Sequence, residues 1–375
     1  MYMPAANEIA STETPDAVRY AIVAPKTGEN AYNKTQENLD VAFNASSDPY
    51  GFFGTYKLAG EVVNNAFYQD AKIDLVWHSG AFSVSGTNQV VFSRGNLQYA
   101  HLTVGSGDNV RPAQTWRFAK HQYDFVGGFD NSSNQHGNVV RDETGSSATR
   151  SNNENIGAGD YDGWIDLFGW GTGNYPTQTT TTNTWYTSNN GYHEWGVNNI
   201  VNSGKPGNTG WWTSLTHTEW SYLISRDNEG KVGLATITGV AEGTMEDDMP
   251  GLVLLPDNFT NPYSWKSAGS GTASHHANYG DNTYTLDQWK VMEERGAVFL
   301  PATGWRNGSD GNWRASITLT SRILEHGSYN ASTMSTSAAT YSLRFGTDYE
   351  THDSMNASFY MAPDNGHAVR LVHRL

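Results

Sequence analysis

The chain's 375 residues, 37% of them hydrophobic, suffice to bury a sizeable core and to build more than one domain, which excludes a wholly disordered protein. Only 16% of residues are charged, yet the formal net charge is -15, so a phosphate backbone is repelled and no nucleic-acid partner is expected. There is no cysteine, which excludes disulfide frameworks, thiolate metal sites and thiol nucleophiles, and no apolar run approaches the roughly 18 residues of a membrane-spanning helix, so no membrane partner is expected.

Taken from the N-terminus, residues 1–14 lack the basic stretch and apolar core of a secretory signal, which favours a virion component released by lysis over an exported protein. Residues 1–75 read as a small strand-rich module for docking or oligomerisation, with strands over 18–23, 39–43 and 52–56. A larger domain, 76–375, follows. Strands are predicted over 90–93, between Gly86 and Gly95, and over 116–119, and the Gly/Asn/Ser stretch 127–160 reads as one long loop.

Two helices open with capping boxes that satisfy otherwise unpaired backbone N–H groups. One starts at Thr216-His217-Thr218-Glu219 with Trp220, Leu223 and Ile224 on one face; the other starts at Thr285-Leu286-Asp287-Gln288 with Leu286, Trp289 and Met292, and Gly296 stops it. The apolar runs 252–256 and 297–301 read as buried strands ending at proline. Alternation over 341–345 points Tyr341, Leu343 and Phe345 inward and Ser342 and Arg344 outward, and 368–372 reads as a last strand. Few helices, many short strands and long inserted loops make the fold class α+β.

Sites for chemistry are sparse. His275 and His276 lie in a Gly/Ser/Ala loop, where a solvated surface is the simpler reading. Asp160, Asp162 and the cluster Glu246-Asp247-Asp248 offer oxygen ligands to calcium but complete no recognised loop. No nucleophile elbow, His-Glu-x-x-His helix or phosphate-binding glycine loop occurs, so no catalytic residue, metal or cofactor is expected. A dispersed carboxylate pair for glycan processing leaves no sequence signature and stays open. Trp164, Phe168 and Trp170 could stack on a sugar, but rings filling a core around a glycine turn explain them better. The stretch 305–367 is rich in Ser, Asn, Thr, Asp, His, Arg and Tyr, and no lysine follows Lys290, a palette like that of antibody combining loops.

An ordered set of segments carries a family resemblance. It comprises Val91-Phe92-Ser93-Arg94-Gly95-Asn96-Leu97-Gln98-Tyr99, Thr115-Trp116-Arg117-Phe118-Ala119, Gly163-Trp164-Ile165-Asp166-Leu167-Phe168-Gly169-Trp170-Gly171-Thr172, Gly251-Leu252-Val253-Leu254-Leu255-Pro256-Asp257, Ala297-Val298-Phe299-Leu300-Pro301-Ala302-Thr303-Gly304-Trp305-Arg306-Asn307-Gly308 and Val369-Arg370-Leu371-Val372. As a set, over about 82–375, it resembles the variable proteins of diversity-generating retroelements from gut bacteria and their phages. The resemblance implies a C-type lectin fold, related to formylglycine-generating enzymes, in which the first and last strands pair and set 90–93 beside 369–372. It also implies a variable region, about 305–367, in which randomised asparagine codons never yield Lys, Glu or Gln.

Residues 327–333 look like the family's Gly-x-Tyr-Trp-Ser-Ser-Thr, with Asn330 standing where the family has Trp. The ligand-binding residues so implied are Trp313, Arg314, His326, Ser328, Tyr329, Asn330, Ser342, Arg344, Tyr349, His352, Asp353, Phe359, Tyr360 and Asp364. Glu325, Met334 and Glu350 cannot arise from asparagine codons. The enzyme branch of the fold needs a cysteine that is absent here, and the calcium-binding triplets Glu-Pro-Asn, Gln-Pro-Asp and Trp-Asn-Asp of sugar-binding members are also absent. The implied protein is a non-catalytic receptor-binding protein at a phage tail tip, extracellular on the virion. Its partners would be a bacterial surface protein or glycan, tail components reached through the N-terminal module, and copies of itself in a homotrimer. A bacterial surface adhesin of the same fold is the alternative.

Overall fold

The computed structural model describes residues 36–43, 52–63, 66–68, 76–77, 79–106, 110–129, 135–139, 153, 161–177, 191–203, 210–240, 248–268, 277–306, 324–336, 339–346 and 355–375, of which 36–43, 52–63, 66–68, 76–77, 128–129, 135–136, 227–228 and 336 are described in backbone alone. Its contacts divide into two units, Met1–Asp48 with Phe52–Trp77, and Pro49–Gly51 with His78–Leu375.

In the first unit, β1 (Gln36–Phe43) and β2 (Phe52–Val63) form an antiparallel ladder in register from Gln36↔Glu61 to Phe43↔Gly54. Alternation of Leu39, Val41 and Phe43 with polar or small neighbours is the strand period that favours this pairing. The end of β2 pairs with β3 (Ala66–Tyr68), and its start pairs with β4 (Val76–Trp77). The strand expected over 18–23 lies outside the described residues.

The second unit opens with β5 (Phe82–Ser83) paired to β6 (Gln89–Phe92). Next come β7 (Leu97–Ala100), its antiparallel partner β8 (Thr115–Phe118), and a short ladder of β9 (Gly128–Phe129) with β10 (Gln135–His136). That ladder corrects the reading of 127–160 as loop throughout. β11 (Trp164–Ile165) pairs with β7, and β12 (Leu167–Phe168) follows.

Helix α1 (His217–Ser225) begins as the sequence predicts, with Thr216 Oγ1 accepting from the Glu219 backbone N–H and Glu219 reaching back to Thr216. Such a box stabilises a helix by about 1 kcal/mol. Then β13 (Val232–Thr238), β14 (Asp248–Leu254), β15 (Thr283–Thr285), α2 (Leu286–Glu294) and β16 (Val298–Pro301) build a four-stranded sheet in the order β15-β13-β14-β16. Helix α2 carries the second capping box and ends at Gly296, whose φ of +92° only glycine adopts without strain.

The chain closes with β17 (His326–Thr336), β18 (Ala339–Gly346), β19 (Met355–Met361), β20 (His367–Ala368) and β21 (Val372–Arg374). The expected single strand over 368–372 is divided. β20 joins the five-stranded sheet β12-β20-β17-β18-β19, whereas β21 pairs with β6. Buried Arg370 sits at this switch, donating to Gln122 Oε1 at 2.6 Å and to the Arg94 carbonyl at 3.0 Å. One continuous core joins β5, β6, β13, β14, β16, both helices and the inner face of β17–β18, with Trp220, Trp289 and Phe299 fully buried in it. With two α-helices among the described residues and strands in six sheets, the fold is α+β.

Candidate functional site

The C-terminal meander β17–β18–β19 carries nearly all the described residues expected to bind a ligand. Register sets Ser328 beside Arg344 and Asn330 beside Ser342, and on the other side Ser342 beside Phe359. The two-residue period of a strand then sorts the side chains onto two faces. Tyr329, Ala331, Leu343, Phe345 and Ala357 point into the core that holds Trp220 and Leu223 of α1. On the opposite, outer face lie His326, Ser328, Asn330, Ser342, Arg344 and Phe359.

Much of that outer face is closed to solvent, which corrects the expectation for several positions. His326, Ser328, Asn330, Ser342 and Asp364 are buried, and Tyr329, on the inner face, is fully so. The cause is tertiary: Gly304 bridges to Gly327, Arg306 exchanges backbone hydrogen bonds with Gly366, and β20 flanks β17. Ser328 Oγ lies 2.8 Å from His367 Nδ1, and the Asn330 side-chain amide donates to the Phe168 carbonyl at 2.9 Å. The Ser342 hydroxyl donates to the Phe359 carbonyl at 3.4 Å, and the His326 ring meets Trp305 at 6.2 Å between centroids. Tyr329 donates to the Pro301 carbonyl at 3.2 Å, and burial pushes its phenol pKa well up. All six lie closed off from solvent within the unit itself.

The buried layer is electrostatically tense. Arg306 is fully buried, and none of its guanidinium nitrogens has a hydrogen-bond partner among the described residues. Burial lowers its pKa to about 10 against the opposing pull of the Asp364 carboxylate. His367 drops to about 3, through burial first and the neighbouring Arg306 charge second, so it is neutral at pH 7.

Three expected residues remain within reach of solvent, and they gather around edge strand β19. On the outer side the Arg344 guanidinium lies 4.9 Å from the Trp305 ring and 4.5 Å from the Phe359 ring. Each cation–π contact contributes about 0.5–1 kcal/mol and holds the long side chain in place. On the inner side, past the core, Tyr360 is 58% exposed with its ring 5.1 Å from that of Tyr341. Tyr341 points inward as its alternation suggests, half-buried against the edge of the core, and stacks on the His217 imidazole at 3.8 Å and 15°. A bulge puts both Ala357 and Ser358 opposite Leu343, which brings Ser358 on the α1 side to within 2.8 Å of His217 Nε2. Burial lowers the His217 pKa, so the ring stacks as a neutral imidazole.

His217 and Tyr341 were not among the residues expected in the site. Position one of a capped helix was the available signal for His217, because the Thr216 box fixes where its side chain emerges. Trp313, Arg314, Tyr349, His352 and Asp353 lie outside the described residues, as do Asp160, Glu246, Asp247, His275 and His276. Trp164, Phe168 and Trp170 are buried, and Trp170 donates its ring N–H to the Ala331 carbonyl at 2.9 Å, so they are core. Among the described residues no group of three or more His, Asp and Glu side chains is placed to hold a metal ion. No family model, curated protein or solved structure matches the chain.

Proposed function

We propose that this protein is a non-catalytic receptor-binding protein that grips a macromolecule on a bacterial surface with the rim around β19. The observation that carries the reading is Arg344, held over Trp305 and Phe359 on an accessible strand, with the Tyr341–Tyr360 pair around the same edge. Arginine and large aromatics fixed in place before binding are the composition of binding hot spots, because they contribute area and charge at little entropic cost. Small polar residues such as Ser358 surround them, as in antibody combining sites.

The resemblance to retroelement variable proteins supports the same reading. Pairing of β21 with β6 fits the lectin-like topology that the resemblance implies. On that reading the N-terminal sheet attaches the chain to a phage tail, and a homotrimer multiplies weak single-site affinity. A bacterial adhesin of the same fold would use the same rim.

The test is adsorption of the full chain to a panel of intact gut-bacterial strains. Selective binding is expected, weakened about tenfold by Arg344→Ser, which also loses its two cation–π contacts and lowers the thermal midpoint by a few degrees, and by Tyr360→Ser, which leaves the midpoint unchanged. Binding that ignores both substitutions overturns the proposal.

A further inference from the structure

A second site lies on another part of the same unit, and it is independent of the β19 rim. Strands β7 and β8, the loop 173–177 and the loop 198–201 enclose a cleft of about 580 Å³, within the range of roughly 300–1,000 Å³ of small-molecule sites. Its walls are tied together. The Asn198 amide donates to the Gly173 carbonyl at 2.9 Å and to the Trp195 carbonyl at 3.0 Å, and the Val201 N–H donates to the Trp116 carbonyl on the edge of β8. Gly173 packs so closely on the backbone at Glu194 that an added Cβ would come within 2.4 Å of its carbonyl oxygen. The cleft is formed before any ligand arrives.

The lining chemistry is specific. In a chain of net charge -15, the described residues of the cleft wall include no Asp, Glu, Lys or Arg, though they include His101. It has Tyr99, Trp116 and Tyr175, and the side-chain amides of Gln114, Asn174 and Asn198. Tyr175 is 47% exposed and stands edge-on to the His193 ring, 6.2 Å between centroids. Gln114 holds a φ of +57°, a left-handed conformation uncommon outside glycine and of a kind that clusters at functional sites.

We infer that this cleft binds a neutral oligosaccharide, with Tyr175 covering the apolar face of a sugar ring, the Gln114 and Asn174 amides bonding its hydroxyls and the Asn198 side-chain oxygen accepting from them. Amides both donate and accept, as hydroxyl groups require, and among the described lining residues no Asp, Glu, Lys or Arg stands ready to pair with a charged ligand. A proline-rich peptide needs a row of exposed rings, and of the three rings only Tyr175 is more than a third exposed.

The experiment is calorimetric titration of the full chain with uncharged gluco-, galacto- and manno-oligosaccharides, alongside sialylated and uronic-acid oligosaccharides and a proline-rich decapeptide. Binding is expected for at least one uncharged glycan. Tyr175→Ala weakens it about tenfold, Gln114→Gly weakens it while relieving backbone strain, and Tyr360→Ser leaves it unchanged. Tyr175 is exposed enough that its loss leaves the fold intact, and Gln114→Gly gives a second, stabilised variant. Failure of every uncharged glycan, binding of only the acidic glycans or the peptide, or affinity indifferent to Tyr175→Ala overturns the inference. None of these outcomes touches the adsorption test of the β19 rim.

Discussion

Two strand pairs of this protein, β14–β16 and β17–β18, make a useful contrast. In the first, Leu252, Val253 and Leu254 lie against Val298, Phe299 and Leu300, buried on both faces, and nothing polar needs a partner beyond the ladder itself. In the second, an equally buried inner face of Tyr329, Leu343 and Phe345 is backed by an outer face of Ser328, Asn330, Ser342 and His326. The first pair contributes stability through packing alone. The second holds a polar layer in which each buried group left without a hydrogen bond costs stability, and it ends in an accessible rim where substitution is cheap.

The sharpest break of the contrast is a cavity in the first pair. Leu252→Ala or Phe299→Ala is expected to cost about 3–5 kcal/mol in urea denaturation; a loss under about 1 kcal/mol would mean that β14–β16 is not the stable centre. Acid comes next. The folded pKa of His367 lies at about 3, below its ordinary 6.5, so its contribution is fully present above pH 6.5 and is lost as pH falls towards 3. That loss is on the order of a few kcal/mol, and His367→Gln should flatten the stability profile between pH 6 and 4.

Arg306→Met replaces a buried, unbonded cation with a side chain of similar length and should raise stability by about 1–3 kcal/mol; destabilisation would show that the guanidinium has a partner. Ser328→Ala strands His367 Nδ1 and should cost about 1–2 kcal/mol. Tyr360→Ser, on the rim, should shift stability by no more than about 0.5 kcal/mol while weakening binding.

The strong local signals survive in the structure. The Thr216 and Thr285 capping boxes start both helices because the partners are three residues away and need no tertiary help. The runs ending at Pro256 and Pro301 become β14 and β16 because apolar residues buried on both faces show no alternation. Alternation also assigned Ser342 and Arg344 correctly to one face. It could not tell that Ser342 would be buried and Arg344 left in reach, since that depends on residues far along the chain.

The same limit applies elsewhere. Residues 368–372 look like one strand but serve two sheets, because backbone hydrogen bonds from Ser93 and Leu97 draw Leu371 and Val369 away from β17. The cleft beside Tyr175 joins three distant segments and has no local signature at all.

The division between buried layer and accessible rim is tested most directly by hydroxyl-radical footprinting of the full chain, alone and on a strain that it binds. Phe359 and Tyr360 should oxidise in the free protein and be protected on the cells, while Tyr329 and Phe345 stay unmodified in both states. Oxidation of Tyr329 as fast as Tyr360, or binding that leaves Phe359 and Tyr360 as reactive as before, would contradict the account.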